Sequence, residues 1–370
     1  MMNKSFNLVL FSILFYSLFQ ITGCSQDKKS GRERTGKPGY KKAAIASVVS
    51  PAPGSIYKCG EAIPVELFFK DKAATVDSVI LTAGKNFTVS YTGYSETMSW
   101  KTDNAPVGQN ILKISLFYND SLKENHSVAV TLLSDIVPKI YTYRVVNTYP
   151  HDVNAYTQGL IYDNGTLLES TGQNGKSSLR RVNIQTGEVL QLVPLDAKFF
   201  GEGIALVDDK VYQITWKSQT GFVYSKDKFE MIRTFNFPYD EGWGLTSWGR
   251  NIYMSDGSSF IYIIEPEYFT QLRQFDVLNH KGRIMQINEL EYVNGKILAN
   301  VLGETYIIVI DPQTGKVTGE IELVKLVPKG LEGDMNRVLN GIAYNPLTRR
   351  IYVTGKLWPV LYEIEIDGGI

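Results

Sequence analysis

The chain has 370 residues, with 38 Lys and Arg against 38 Asp and Glu, so its formal net charge is zero. That length is enough for two domains with full cores, and a balanced charge offers no field to hold a polyanion such as nucleic acid. Three histidines (His126, His151, His280) at no ligand-pair spacing and two cysteines argue against a histidine-rich zinc centre and a disulfide framework.

The N-terminus reads as a targeting segment. Lys4 precedes an apolar run from Phe6 to Phe19, followed by Ile21-Thr22-Gly23-Cys24. A basic start, a short apolar core and small residues before a cleavage point make a signal peptide over 1–23. The run is short of the ~20 residues a spanning helix needs. A cysteine after a small residue resembles a bacterial lipobox. Cys24 then becomes the lipidated first residue of the mature protein, held in the bacterial cell envelope on the outer membrane or facing the periplasm. An ordinary secretory signal with an incidental Cys24 is the alternative. With Cys24 acylated, Cys59 has no disulfide partner and reads as a small buried apolar residue. Residues 24–42 mix Lys, Arg, Gly and Pro without apolar periodicity, which predicts a flexible lipidated tether.

Residues 43–135 predict an immunoglobulin-like β-sandwich. Ala44–Val49, Ile63–Phe69, Val76–Ala83, Phe87–Tyr91, Ile111–Tyr118 and Ser127–Leu133 read as strands, several with inward and outward alternation. Pro53-Gly54, Ala83-Gly84 and Asn104-Ala105-Pro106 mark turns. Trp100 reads as a core or edge aromatic rather than a ligand platform, and no catalytic cluster stands out in this unit. Asp135-Ile136-Val137-Pro138 ends it, and Tyr141–Tyr149 reads as a strand.

A short motif then recurs: Gln158-Gly159-Leu160, Glu202-Gly203-Ile204, Trp243-Gly244-Leu245, Asn288-Glu289-Leu290 and Asn340-Gly341-Ile342. Its first letters are 44, 41, 45 and 52 residues apart. Each copy is followed by a strand-like stretch, the first Leu167–Thr171 and the last Ile351–Lys356. A repeat of that length made of short strands predicts a five-bladed β-propeller over 141–366. The fold class is therefore all-β: a sandwich followed by a propeller. A short last repeat and the Tyr141–Tyr149 strand fit ring closure by a borrowed strand. The long fourth step carries an insertion, Lys325–Leu339, read as a loop or short helix.

Equivalent positions of the blades meet at one central channel, so Gln158, Glu202, Trp243, Asn288 and Asn340 form a candidate ring. Glu202 lies among glycines and phenylalanines, where a carboxyl group loses water and its pKa rises toward the range useful for proton transfer. Trp216 and Trp243 supply two indoles. Gln158, Asn288 and Asn340 supply uncharged hydrogen-bonding groups, and Lys356 a cation. Polar residues at such strand starts also commonly bind backbone groups or channel water.

In order, the motifs Tyr156-Thr157-Gln158-Gly159-Leu160, Glu169-Ser170-Thr171-Gly172, Phe200-Gly201-Glu202-Gly203, Thr215-Trp216-Lys217, Gly242-Trp243-Gly244-Leu245, Ser255-Asp256-Gly257, Asn288-Glu289-Leu290-Glu291, Asn340-Gly341-Ile342-Ala343 and Thr354-Gly355-Lys356-Leu357-Trp358-Pro359 resemble the plant and bacterial type of glutaminyl cyclase, or glutamine cyclotransferase. The likeness covers about three fifths of the chain and leaves the sandwich and tether outside. It implies a five-bladed propeller that converts an N-terminal glutamine to pyroglutamate and releases ammonia, as a monomer and without metal or cofactor. N-terminal glutaminyl peptides or proteins are the implied partners, alongside the membrane reached through the lipid anchor. By the resemblance, Glu202 is the proton shuttle. Gln158, Asn288 and Lys356 hold the substrate amide and its oxygen, and Trp216, Trp243 and Tyr156 wall the pocket, with Asn340 also on the substrate side. One departure stands out: the family's fourth-blade indole is replaced by Leu302 in Asn300-Val301-Leu302-Gly303-Glu304-Thr305. Two other readings remain open. One is a calcium-dependent propeller lactonase using Glu202, Asn288, Asn340 and Asp256, which Lys356 disfavours by repelling a cation. The other is a non-enzymatic surface propeller that binds a ligand or partner.

Overall fold

The computed structural model describes residues 44–370 apart from 71–74, 86, 96 and 121. The signal segment, Cys24 and the tether lie outside the described residues. Residues 44–370 are one compact unit, and among the described residues every regular element is a strand except a single 3₁₀ turn, Val324–Leu326.

The N-terminal part buries one apolar core. A five-stranded sheet runs in the order Ile56–Lys58, Leu122–Leu133, Gly108–Tyr118, Val76–Ala83, Phe87–Thr92. Two strand pairs share its core: Ala46–Ser50 with Glu66–Phe69, and Ala62–Pro64 with Ser99–Lys101. The Ile63–Phe69 stretch is thus two strands with different partners. Pro64 has no N–H to carry a ladder onward, and the chain changes sheet partner there. Trp100 and Cys59 are buried in this core. So is Leu278 from the C-terminal part, which helps join the two parts. Val107 N–H donates to Thr314 O, Ser134 N–H to Asn279 O, and Lys316 Nζ to Asp135 Oδ1 at 2.6 Å.

The C-terminal part is five sheets in sequence order, antiparallel but for one strand of the fourth. The first holds Thr157–Asp163, Thr166–Thr171, Ser178–Asn183 and Val189–Pro194, and the second Gly201–Val207, Lys210–Thr215, Thr220–Ser225 and Met231–Asn236. The third holds Leu245–Trp248, Asn251–Ser255, Phe260–Glu265 and Thr270–Asp276, and the fourth Ile287–Val293, Lys296–Val301, Tyr306–Ile310 and Val317–Glu322. The fifth takes Leu339–Asn345, Arg350–Gly355 and Val360–Ile366 from the chain's end and adds Tyr143–Pro150 as its outer strand. The region expected as one strand, Tyr141–Tyr149, is again two. Lys139–Tyr141 pairs in parallel with Val317–Glu322 of the fourth sheet before Tyr143–Pro150 crosses to the fifth.

The first strand of each sheet packs against the first strands of its neighbours, and the fifth closes on the first. An apolar layer fills each interface between adjacent sheets. Leu168 and Leu179 meet Ile204 and Phe222 between the first two, and Leu160 and Leu167 meet Ala343 and Leu361 at the closure. Second strands are covered on both faces, so Leu167–Thr171 and Ile297–Val301 are fully buried. Outer strands such as Val189–Pro194 alternate half-buried and exposed residues, the pattern of a sheet with one wet face. The architecture is propeller-like.

Candidate active site

The recurring motif marks a break in pairing. In the first strands of the first, second, fourth and fifth sheets the register shifts between Thr157 and Gly159, Gly201 and Ile204, Ile287 and Leu290, and Leu339 and Ile342. Gln158, Glu202, Asn288 and Asn340 fall inside those interruptions. A bulge frees a residue from the ladder and re-aims its side chain, and such bulges recur beside active sites. In the third sheet the ladder starts only at Leu245, after Trp243. The glycines between allow the close ring. A Cβ on Gly203 would lie 2.4 Å from Leu245 N and 2.6 Å from Trp243 O.

The structure buries four of the ring residues and Lys356: Gln158, Glu202, Asn288, Asn340 and Lys356 are each at most 5% exposed. Asn340 Nδ2 donates to Thr157 O (2.9 Å) and to Gln158 Oε1 (3.2 Å). Gln158 Nε2 in turn donates to Glu202 Oε1 at 2.8 Å. The backbone carbonyl of Glu202 accepts from Ser170 Oγ, itself held by Gln213 Nε2 at 2.8 Å. Burial holds the Glu202 carboxyl well above the usual carboxylate range, Lys356 opposes the rise and Glu241 adds to it. Burial also pushes the Lys356 ammonium down, against the pull of Glu202. The Lys356 Nζ stands over the Tyr156 ring, 5.0 Å from its centroid. Burial thus moves both groups toward their neutral forms.

Half-buried aromatics lie beside these groups. Tyr156, Phe200 and Trp216 meet edge to face in series, at centroid distances of 6.0 and 5.6 Å. Trp216 and Trp243 are joined by a residue that the repeat pattern does not mark, Glu241. Its Oε2 accepts both indole N–H groups, at 2.7 and 2.8 Å. Lys217 pairs with its Oε1 at 3.4 Å and lies over the Trp216 ring at 4.0 Å. Burial would raise the Glu241 carboxyl, but the two indoles and Lys217 bring it below the usual range. Gly257, at φ +82°, makes room for Trp243; a Cβ there would meet the indole at 2.6 Å.

Buried polar atoms without a protein partner among the described residues include Asn288 Oδ1, Asn340 Oδ1 and Asn300 Nδ2. A buried polar group needs a partner, so these are open hydrogen-bonding positions. Asn300 Oδ1 accepts Gly341 N–H at 3.0 Å. Between groups of the first and fifth sheets, buried His151 bridges Glu169 (Nε2, 3.0 Å) and Trp358 O (Nδ1, 2.8 Å).

Two further indoles, the Leu302 position and Asp256 have surroundings of their own. Trp248 is half exposed and stacks on Tyr292, and Trp358 is fully buried with its Nε1–H donated to Arg337 O. At the Leu302 position, the adjacent Gly303 is covered by Met335 of the 325–339 insertion, whose Cε lies 3.0 Å from where a Cβ would be. The insertion is an irregular loop after the 3₁₀ turn, tied down by Trp358 and by Lys356 N–H on Val338 O. Asp256 accepts from Tyr262 Oη at 2.8 Å and from Ser258. Among the described residues, no three His, Cys, Asp or Glu side chains gather as a metal ion would require.

A family model described as glutamine cyclotransferase matches residues 117–366. The chain belongs to the glutamine cyclotransferase family. It is 40% identical over 237 residues to a glutaminyl-peptide cyclotransferase of Arabidopsis thaliana, covering 63% of this chain and 73% of that protein. It also resembles the crystal structure of Myxococcus xanthus glutaminyl cyclase, with 34% identity and a TM-score of 0.58 over 62% of this chain and 98% of that one. Its enzymatic class, glutaminyl-peptide cyclotransferase, follows from this membership. The family match begins at residue 117, inside the strand Gly108–Tyr118, so most of the N-terminal part precedes it.

Proposed function

We propose that this cyclotransferase closes the N-terminal glutamine of a peptide or protein to pyroglutamate in the pocket around Glu202, with no metal. The α-amine nitrogen attacks the side-chain amide carbon of the same residue. A C–N bond forms, the five-membered lactam closes, and the amide nitrogen departs as ammonia. Both reacting groups already belong to one residue, so the pocket need only hold the folded conformer and manage charge. Glu202, as carboxylate, takes the proton from the attacking amine and hands it to the leaving nitrogen. Gln158, Asn288 and Lys356 bind the substrate amide and meet the charge that develops on its oxygen. Asn340 holds Gln158. Trp216, Trp243 and Tyr156 exclude water and so favour ring closure over hydrolysis.

The observation that carries this reading is a buried carboxyl at the hub of the ring, held up in pKa by burial and joined to Gln158 at 2.8 Å. Lys356 supplies the positive charge that a metal would otherwise bring, and it would repel one. The five sheets are read as the blades of a five-bladed propeller, with Tyr143–Pro150 closing the ring, and residues 44–135 as an immunoglobulin-like sandwich. The protein acts as a monomer, anchored to the bacterial envelope through Cys24.

The experiment is ammonia release from a Gln-Ala dipeptide by wild type and by Glu202→Gln, with and without chelator. Turnover that survives chelation and disappears in Glu202→Gln is expected. Turnover lost to chelator would remove the metal-free reading, and an active Glu202→Gln would remove the shuttle.

A further inference from the structure

The recurring motif has glycine at its second position in four copies, Gly159, Gly203, Gly244 and Gly341, but glutamate in the fourth, Glu289. The structure gives this departure a purpose. Glu289 is 1% exposed, and its two oxygens accept backbone N–H groups from two other sheets. Oε1 accepts from Leu160 at 3.2 Å, and Oε2 from Ile342 at 3.0 Å. Leu160 lies two residues past Gln158, and Ile342 two residues past Asn340. Each N–H follows one of the register breaks that free those side chains. The first sheet is not next to the fourth in the ring, so the carboxyl reaches across the centre to it.

We propose that Glu289 is a positioning residue, which pins the two bulges carrying Gln158 and Asn340 and thereby aims the Asn340–Gln158–Glu202 relay at the substrate. Asn300, from the same sheet, supports the second bulge through Gly341 N–H. A bulge has no ladder partner to fix it, so an outside acceptor is what gives it one geometry. Burial and neighbouring Glu291 hold the Glu289 carboxyl well above the usual range, opposed by its two N–H partners. Glutamine is therefore the near-isosteric replacement, keeping one acceptor where the acid offers two. The proposal rests on the reading of Glu202 as the catalytic residue, and the test separates the two.

The test compares full-length wild type, Glu289→Gln and Glu289→Gly for kcat and KM on a Gln-Ala dipeptide, for melting temperature, and for hydrogen exchange at the amides of Leu160 and Ile342. Loss of a clamp acting on the reacting geometry lowers kcat roughly ten-fold or more in Glu289→Gly, with KM within about three-fold. Glu289→Gln recovers part of the rate, and exchange at the two amides quickens in the order wild type, Gln, Gly. A folded Glu289→Gly with wild-type kcat, or with unchanged exchange at both amides, overturns the proposal. Should Glu289→Gly fail to fold, Glu289→Gln decides: a lower kcat at unchanged melting temperature supports the clamp, and an unchanged kcat overturns it. Glu202→Gln is the control. If it stays active, the reading of Glu202 falls, and the amide exchange still judges the clamp.

Discussion

Glu241 offers the sharpest perturbation of the proposed pocket wall. Its carboxylate accepts the N–H groups of Trp216 and Trp243, from the second and third sheets, at 2.7 and 2.8 Å. Glu241→Gln keeps the length of the side chain but leaves one acceptor for two donors and removes the charge. Hydrogen bonds to a charged acceptor contribute about 1.5–3 kcal/mol. The Glu241 side chain is 30% exposed, so water competes and the lower end applies. About 1.5 kcal/mol corresponds to roughly a ten-fold fall in kcat/KM, seen mainly as a higher KM if, as proposed, the indoles wall the pocket. A second effect has a defined sign. Glu241 is one of the groups holding the Glu202 carboxyl up, so its neutralisation lowers Glu202. Glu202 must be ionised to accept the amine's proton, and the acidic limb of the pH–rate profile moves to lower pH. Steady-state kinetics on a Gln-initiated dipeptide across pH measure both effects. A Glu241→Gln enzyme with kcat/KM within about two-fold of wild type, and an unmoved acidic limb, would refute the reasoning.

Two further outcomes concern stability. Burial alone would lower His151, but Glu169 and the Trp358 carbonyl raise it above 6.5, and the partnered Glu169 is lowered below 4.5. The His151 contribution is full below 6.5 and is lost as pH rises through its folded value; that of Glu169 is full above 4.5 and is lost on acidification. Burial raises Glu291 to about 8, which also makes stability fall between 4.5 and about 8. Melting temperature therefore declines from pH 6 to 9, and less steeply in His151→Gln; an identical slope in that variant contradicts the account. Gly203→Ala places a Cβ 2.4 Å from Leu245 N, where backbone cannot give way. It costs upwards of ~3 kcal/mol, and a denaturant midpoint like that of wild type would count against the close ring.

Much of the architecture was legible because the first three sheets are local meanders and the other two mostly so, their strands following one another in sequence, with a glycine recurring in four of the five motif copies. Glu202 stood out as one acid among glycines and phenylalanines. Strand breaks were less legible. The switch at Pro64, and the division of 139–150 between two sheets, depend on which edges lie within reach. Glu241 was hidden for another reason: it lies in a loop outside the repeat, and its meaning comes from two indoles 25 and 2 residues away. Glu289 left a signal, the one glutamate in a glycine column, but its partners 129 and 53 residues distant could not be read from spacing. Leu302 was visible as a departure. That Met335 of the insertion covers Gly303 was not, since an irregular loop carries no period from which to place it.

The most direct measurement of the central claim is ammonia and pyroglutamyl product from a Gln-Ala dipeptide, wild type against Glu202→Gln, at neutral pH with chelator present. The account predicts turnover by wild type and a loss of roughly 10²–10⁴-fold in the variant, with its melting temperature retained. A folded Glu202→Gln enzyme that turns over like wild type would contradict it.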